Sequence, residues 1–125
     1  MIADTNFVSA LFKERASGTR GPALAFFAAH RPKVIRVCVI TVGELAPWFG
    51  QSWEIWPAMK RWTILRLHDG IVNAAADVDR ELTRQGRRLG ENDNWISGFG
   101  RYYRQPVLSR DEDFDRVSEL RRVPY

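Results

Sequence analysis

Four acidic side chains, Asp4, Glu44, Asp93 and Asp111, lie far apart in the chain, yet each falls where a strand ends or a helix begins. Carboxylates brought together repel, and they raise one another's pKa unless a cation neutralises them. Oxygen-only ligation selects hard ions, so Mg²⁺ or Mn²⁺ is expected and Zn²⁺ is not. The two histidines, His30 and His68, show no ligand spacing and read as structural or exposed. The acids also have plainer readings. Asp4 or Thr5 could simply N-cap the helix that follows. Thr41-Val42-Gly43-Glu44 fits a capping box, and taken alone Glu44 suits that structural role better than a functional one.

Residues 91–114, ENDNWISGFGRYYRQPVLSRDEDF, show how two of these acids can meet. Trp95, Ile96, Phe99 and Tyr103 fall on one stripe of an amphipathic helix. Gln105 and Pro106 end it, because proline lacks the amide donor and restricts the residue before it. Pro106-Val107-Leu108-Ser109 then reads as a short buried strand. A helix feeding a parallel strand runs antiparallel to it, so the helix start and the strand end share one sheet edge. Asp93 and Asp111, 18 residues apart, should therefore be neighbours. Ligands of open parallel sheets bind at this edge.

The same alternation runs through the whole chain. Met1-Ile2-Ala3 is a short first strand ending at Asp4, followed by a helix through Leu11 and a loop over residues 15–21. Pro22 opens a second helix at the first-turn position that proline favours. Residues 34–40 form the clearest strand, rich in β-branched side chains, and 63–67 a third. Residues 69–84 form a helix with Ile71, Ala75, Val78 and Leu82 on one face. Residues 112–115 start a short helix, and 121–123 could be an edge strand. The fold class is α/β: one domain over residues 1–125, three-layered α/β/α, with a central parallel sheet of four to five strands. All four acids then converge on one edge.

The chain has 19 basic and 15 acidic residues, and 16 of the bases are arginine, which suits phosphate because its planar fork binds two oxygens at once. A basic body around an acidic pocket suits a nucleic-acid substrate, although a basic surface can also serve solubility alone. Arg87 and Arg88 in the basic loop 85–90, and Arg110 beside Asp111, could touch a substrate phosphate or be merely solvated. No apolar run is long enough for a membrane span, and Asp4 interrupts the N-terminus before a signal peptide could form. A single cysteine, Cys38, excludes an internal disulfide and reads as a buried strand residue of a cytoplasmic protein. Trp48, Phe49, Trp53, Trp56 and Trp62 are denser than so small a core needs, so part of them could form a dimer or partner surface.

Asp4-Thr5-Asn6, Thr41-Val42-Gly43-Glu44-Leu45, Glu91-Asn92-Asp93-Asn94-Trp95-Ile96 and Ser109-Arg110-Asp111-Glu112-Asp113-Phe114 together resemble the ordered motifs of PIN domains. The likeness is nearest to VapC-type ribonuclease toxins of type II toxin-antitoxin pairs, and it spans essentially the whole chain. It implies a Mg²⁺- or Mn²⁺-dependent endoribonuclease in which Asp4, Glu44, Asp93 and Asp111 are the acidic metal ligands and catalytic residues. Thr5, Asn6 and Ser109 stand where the family places polar groups that orient ligands or water. Asp113 could share or replace the role of Asp111. The resemblance further implies an RNA substrate, a cognate antitoxin received along residues 48–62, and a homodimer.

Rival readings are a nuclease of the same fold acting in RNA maturation or on structured DNA, and a non-catalytic RNA-binding module. A comparison of single-stranded RNA, tRNA and flapped DNA as substrates separates the first. Salt-dependent binding without metal-dependent cleavage would mark the second. A phospho-receiver domain also gathers acids at a sheet edge, but no suitable lysine follows a late strand.

Overall fold

Strands of two or three residues carry this fold, their side chains alternating between two apolar layers. The computed structural model describes residues 1–30 and 35–125. Among the described residues five parallel strands form one sheet in the order β3-β2-β1-β4-β5: β1 Ile2–Ala3, β2 Arg36–Cys38, β3 Thr63–Leu65, β4 Val107–Leu108 and β5 Arg122–Val123. Ala3, Val37 and Leu108 pack into one layer with Phe7, Val8 and Leu11. Their strand neighbours Ile2, Cys38 and Val107 pack into the other with Ile71, Ile96 and Phe99. Helices α1 (Thr5–Ser17) and α2 (Pro22–Ala29) cover the first face. Helices α5 (Asp69–Arg84) and α6 (Glu91–Tyr103) cover the second, and α3 (Val39–Leu45) and α4 (Ile55–Ala58) lie in the segment between β2 and β3. The three-layer α/β/α arrangement is the expected one. Among the described residues no helix is long and apolar enough to cross a membrane.

Several boundaries differ from those expected. Helix α1 continues past Leu11 to Ser17 and ends on Gly18, whose φ of 70° is the left-handed cap that glycine adopts without strain. Past Phe12, which packs on the core, the extension is Lys13-Glu14-Arg15-Ala16-Ser17 and carries no apolar stripe to read. Its Glu14 carboxylate accepts the amides of Ala23 and Leu24, at 3.2 and 2.7 Å, and so caps α2 from outside. The second strand was expected over residues 34–40. Val34 lies outside the described residues, and Val39 and Ile40 belong to α3, not to β2. Branched residues disfavour a helix by only tenths of a kcal/mol, on the order of 0.5, less than burying Val42 and Leu45 returns. The capping box does not form, because Thr41 lies inside the helix and its hydroxyl donates to the carbonyl of Ala3 at 3.4 Å. Strand β3 stops at Leu65, and Arg66 and Leu67 are exposed.

Helix α5 buries Ile71, Ala75, Val78 and Leu82, as their spacing requires. Helix α6 buries Ser97, Gly98 and Gly100 as well as Ile96 and Phe99, a broader face than its apolar stripe suggests. A Cβ on Gly98 would stand 2.7 Å from Ala75 Cβ and 2.9 Å from its Cα and N. The demand for glycine therefore comes from the backbone of α5, not from packing on the sheet.

Candidate active site

The sheet register builds the centre of the site. Ala3 pairs with Val37 on one side and Leu108 on the other, so Asp4 and Ser109 are next in line on adjacent strands. Asp4 is 2% exposed, and its two carboxylate oxygens are both occupied by neutral donors. The amide of Phe7 donates to Oδ1 at 2.7 Å, and the hydroxyl of Ser109 donates to Oδ2 at 2.5 Å. Asp4 is thus the N-cap of α1, and it also faces the acid edge; one side chain meets both readings. Burial pushes its pKa up, the Ser109 and Phe7 hydrogen bonds pull it down, and the charges of Asp111 and Glu44 push it up again.

Three further acids surround it. Glu44 sits in the last turn of α3, where Oε2 accepts from the hydroxyl of Thr5 and Oε1 from the amide of Asn92 at 2.9 Å. It joins three elements and makes no reach back to a helix start. Asp93 lies in the first turn of α6. It has no hydrogen-bond or ion-pair partner among the described residues. Burial first, then the charges of Asp111, Glu44, Asp4 and Asp113, push its pKa up to about 6. Asp111 follows β4 and caps a short 3₁₀ helix, Glu112–Arg116, by accepting the amide of Asp113 at 2.9 Å. The hydroxyl of Ser109 in turn accepts the amide of Asp111 at 2.9 Å, linking two of the acids through one serine. Asp113 pairs with Arg116 at 2.5 Å, and its charge acts on Asp93 along with that of Asp111.

The donor set suits a hard divalent ion in kind, being carboxylate oxygen with hydroxyl and amide groups behind it. Among the described residues no three acid, histidine or cysteine side chains stand close enough to form a ready-made set of ligands. Asp4 and Glu44 are each held by neutral donors.

The basic candidates sit at the margin. Arg88 pairs with Asp79 at 2.8 Å, and Arg87 is exposed with no ion pair among the described residues. Arg110 lies 4.5 Å over the ring of Tyr125 and donates to its carbonyl at 3.2 Å. Asn6 is exposed at the start of α1. Three contributors went unassigned in the sequence: Asn92, Arg116 and Tyr125. Asn92 precedes Asp93 within its motif, and a carboxamide beside a clustered acid was the available signal. Tyr125 packs on Phe7 at 4.8 Å, and burial together with the charge of Asp4 pushes its hydroxyl up to about 12.

A family model of the PIN domain matches residues 1–120. The chain belongs to the PIN domain family. Three solved structures share this fold. A chain of VapBC2 from Rickettsia felis, bound to a DNA fragment from its promoter, aligns with a TM-score of 0.83 at 14% identity, covering 99% of this chain and 97% of that one. A chain of DNA-bound VapBC from Salmonella typhimurium gives 0.77 at 18% identity, with 98% and 96% covered. A chain of a toxin-antitoxin complex from Klebsiella pneumoniae gives 0.70 at 21% identity, with 95% and 93% covered. No curated protein sequence matches. Membership in the PIN family supports a nuclease.

Proposed function

We propose that this PIN domain is a Mg²⁺- or Mn²⁺-dependent endoribonuclease and the toxin of a type II toxin-antitoxin pair. One observation carries the reading: the Ser109 hydroxyl bridges Asp4 and Asp111, and Asn92, the neighbour of Asp93, donates to Glu44, so hydrogen bonds draw these acids to one sheet edge. Asp4, Glu44, Asp93 and Asp111 would hold the ion. When bound, the ion supplies an activated water and neutralises charge on the phosphate under attack.

The chain's own residues prepare that chemistry. Ser109 and the Phe7 amide fix Asp4, and Thr5 with Asn92 fixes Glu44, so two carboxylates are oriented before any ion arrives. Asp93 is left without a donor and is the acid best able to accept one. No side-chain nucleophile is required, so the products should carry 5′-phosphate and 3′-hydroxyl ends. A partner is supported by three tryptophans on the surface, Trp48, Trp53 and Trp56, which are 57%, 62% and 46% exposed. Trp53 and Trp56 border an apolar hollow beside α3, the helix that carries Glu44, and this surface suits an antitoxin segment or a second copy of the chain.

The test is a cleavage assay on total RNA with Mg²⁺, Mn²⁺ or EDTA, with the product ends mapped. Cleavage that requires the ion and leaves 5′-phosphates supports the reading. Cleavage unaffected by EDTA, or full activity in Asp93→Asn, would contradict it. Expression without a cognate antitoxin should arrest growth.

A further inference from the structure

A pocket of about 240 Å³ opens between α5 and the first turn of α6. Along the chain it adjoins the acid edge, since its lining residues Leu89, Glu91 and Asn94 flank Asp93. Leu89 lines it, and a Cβ on the next residue, Gly90, would stand 3.6 Å from Asp93 Oδ2. Val72, Ala76 and Leu89 supply apolar lining. Two planar groups also line the pocket, the half-buried indole of Trp95 and the guanidinium of Arg88, which Asp79 holds at 2.8 Å. Its polar lining is rich in acceptors. Glu91 is exposed and has no ion pair among the described residues. Asn94 donates its Nδ2 to the carbonyl of Ala75 at 3.1 Å, and its buried Oδ1 finds no donor among the described residues.

We propose that this pocket seats the base of the nucleotide next to the scissile phosphate, and that Glu91 selects guanine there. The location of the phosphate rests on the endoribonuclease reading above. Unstacked RNA bases are held on aromatic rings and arginine planes and read along their free edges, and here both planar groups line one cavity of single-base size. Guanine presents two adjacent N–H donors, at N1 and N2, that match the two oxygens of one carboxylate. Adenine and cytosine offer a single amino group. Uracil offers one imide N–H flanked by two carbonyls that a carboxylate repels.

Binding and cleavage test this separately. In the full-length protein, the four nucleoside 3′-monophosphates are titrated while the indole N–H resonance of Trp95 is followed, assigned with Trp95→Phe. The guanosine nucleotide should move that resonance and bind about tenfold tighter than the other three, the order expected for a bidentate base contact. Glu91→Gln should bring guanosine down to the level of the others. Measured by calorimetry, since these variants lack the indole reporter, Trp95→Phe should keep binding and Trp95→Ala should lose it. On oligonucleotides, guanine beside the cut should be preferred by a similar factor, and Glu91→Gln should remove the preference while leaving cleavage of other sequences unchanged. Nucleotides that bind without moving Trp95, or a guanine preference that survives Glu91→Gln, would overturn the proposal. Guanosine binding at Trp95 in a protein that cuts no RNA leaves the pocket standing and defeats the endoribonuclease reading. RNA cleavage with no preference altered by either variant defeats the pocket and leaves that reading in place.

Discussion

Where the strands begin, Arg101 lies 3.1 Å from Glu81 and 4.0 Å from Glu119, and Arg104 and Arg121 line the same hollow of about 470 Å³. Where the strands end, Asp4 and Glu44 are held by neutral donors, and their charges with that of Asp111 reach Asp93, which has no donor among the described residues. Arg116 reaches this second edge, but it is spent on Asp113. Both edges belong to one small sheet, so the contrast is not a matter of available charge in a chain with 16 arginines. Paired surface ions contribute little, about 0–1 kcal/mol, whereas half-buried like charges act against the fold. Such an arrangement points to a counter-ion that the chain itself does not provide.

The sharpest break in the contrast is Asp93→Asn. It should abolish RNA cleavage, and at neutral pH without metal it should raise thermal stability, because it removes one of the mutually repelling charges. A variant that loses both activity and stability would mean that Asp93 supports the fold instead. Ser109→Ala should lower activity by about ten- to a hundredfold, the usual effect of removing a group that orients a metal ligand. Steady-state cleavage rates at saturating Mg²⁺ would measure it.

Two glycines give a contrast in stability alone. Gly98→Ala should destabilise by about 1–3 kcal/mol, since its Cβ meets the backbone of Ala75 and neither helix can retreat cheaply. Gly43→Ala, in α3 with nothing within 4 Å of the added atom, should instead stabilise by up to about 1 kcal/mol. Urea denaturation of the two variants checks both signs.

The smallest effect is that of pH. Asp93 has its folded pKa raised to about 6, above the ordinary aspartate value, so between those values the folded state binds more protons than the unfolded one. Metal-free stability should therefore rise as the pH falls from neutral through about 6 and stop rising below the ordinary aspartate range. Because the side chain is partly exposed, screening reduces the gain to about 1 kcal/mol. Asp93→Asn should flatten this part of the profile.

How far the sequence revealed this follows from which forces were local. Pro22, Pro106 and the spacing of Ile71, Ala75, Val78 and Leu82 act within a few residues, and the elements they mark, α2, β4 and α5, formed as expected. Helix-strand reversal brought Asp93 and Asp111 to one edge without any knowledge of contacts. The failures lie where tertiary packing decided. Val39 and Ile40 look like strand residues, but they lie in α3, which is tied to the end of β1 through Thr41. The need for glycine at position 98 has no local signal, because its reason is Ala75 in another helix. Asn92 and Tyr125 gain their importance from partners 48 and about 120 residues away, beyond any local pattern.

The crowding of charge is best tested by following the side-chain carboxyl carbon of Asp93 through a pH titration by NMR, with and without Mg²⁺. An apparent pKa near 6 in the metal-free protein that falls well below this when Mg²⁺ is present is the expected result. An ordinary aspartate value, unmoved by the ion, would contradict the view that these four acids share a cation.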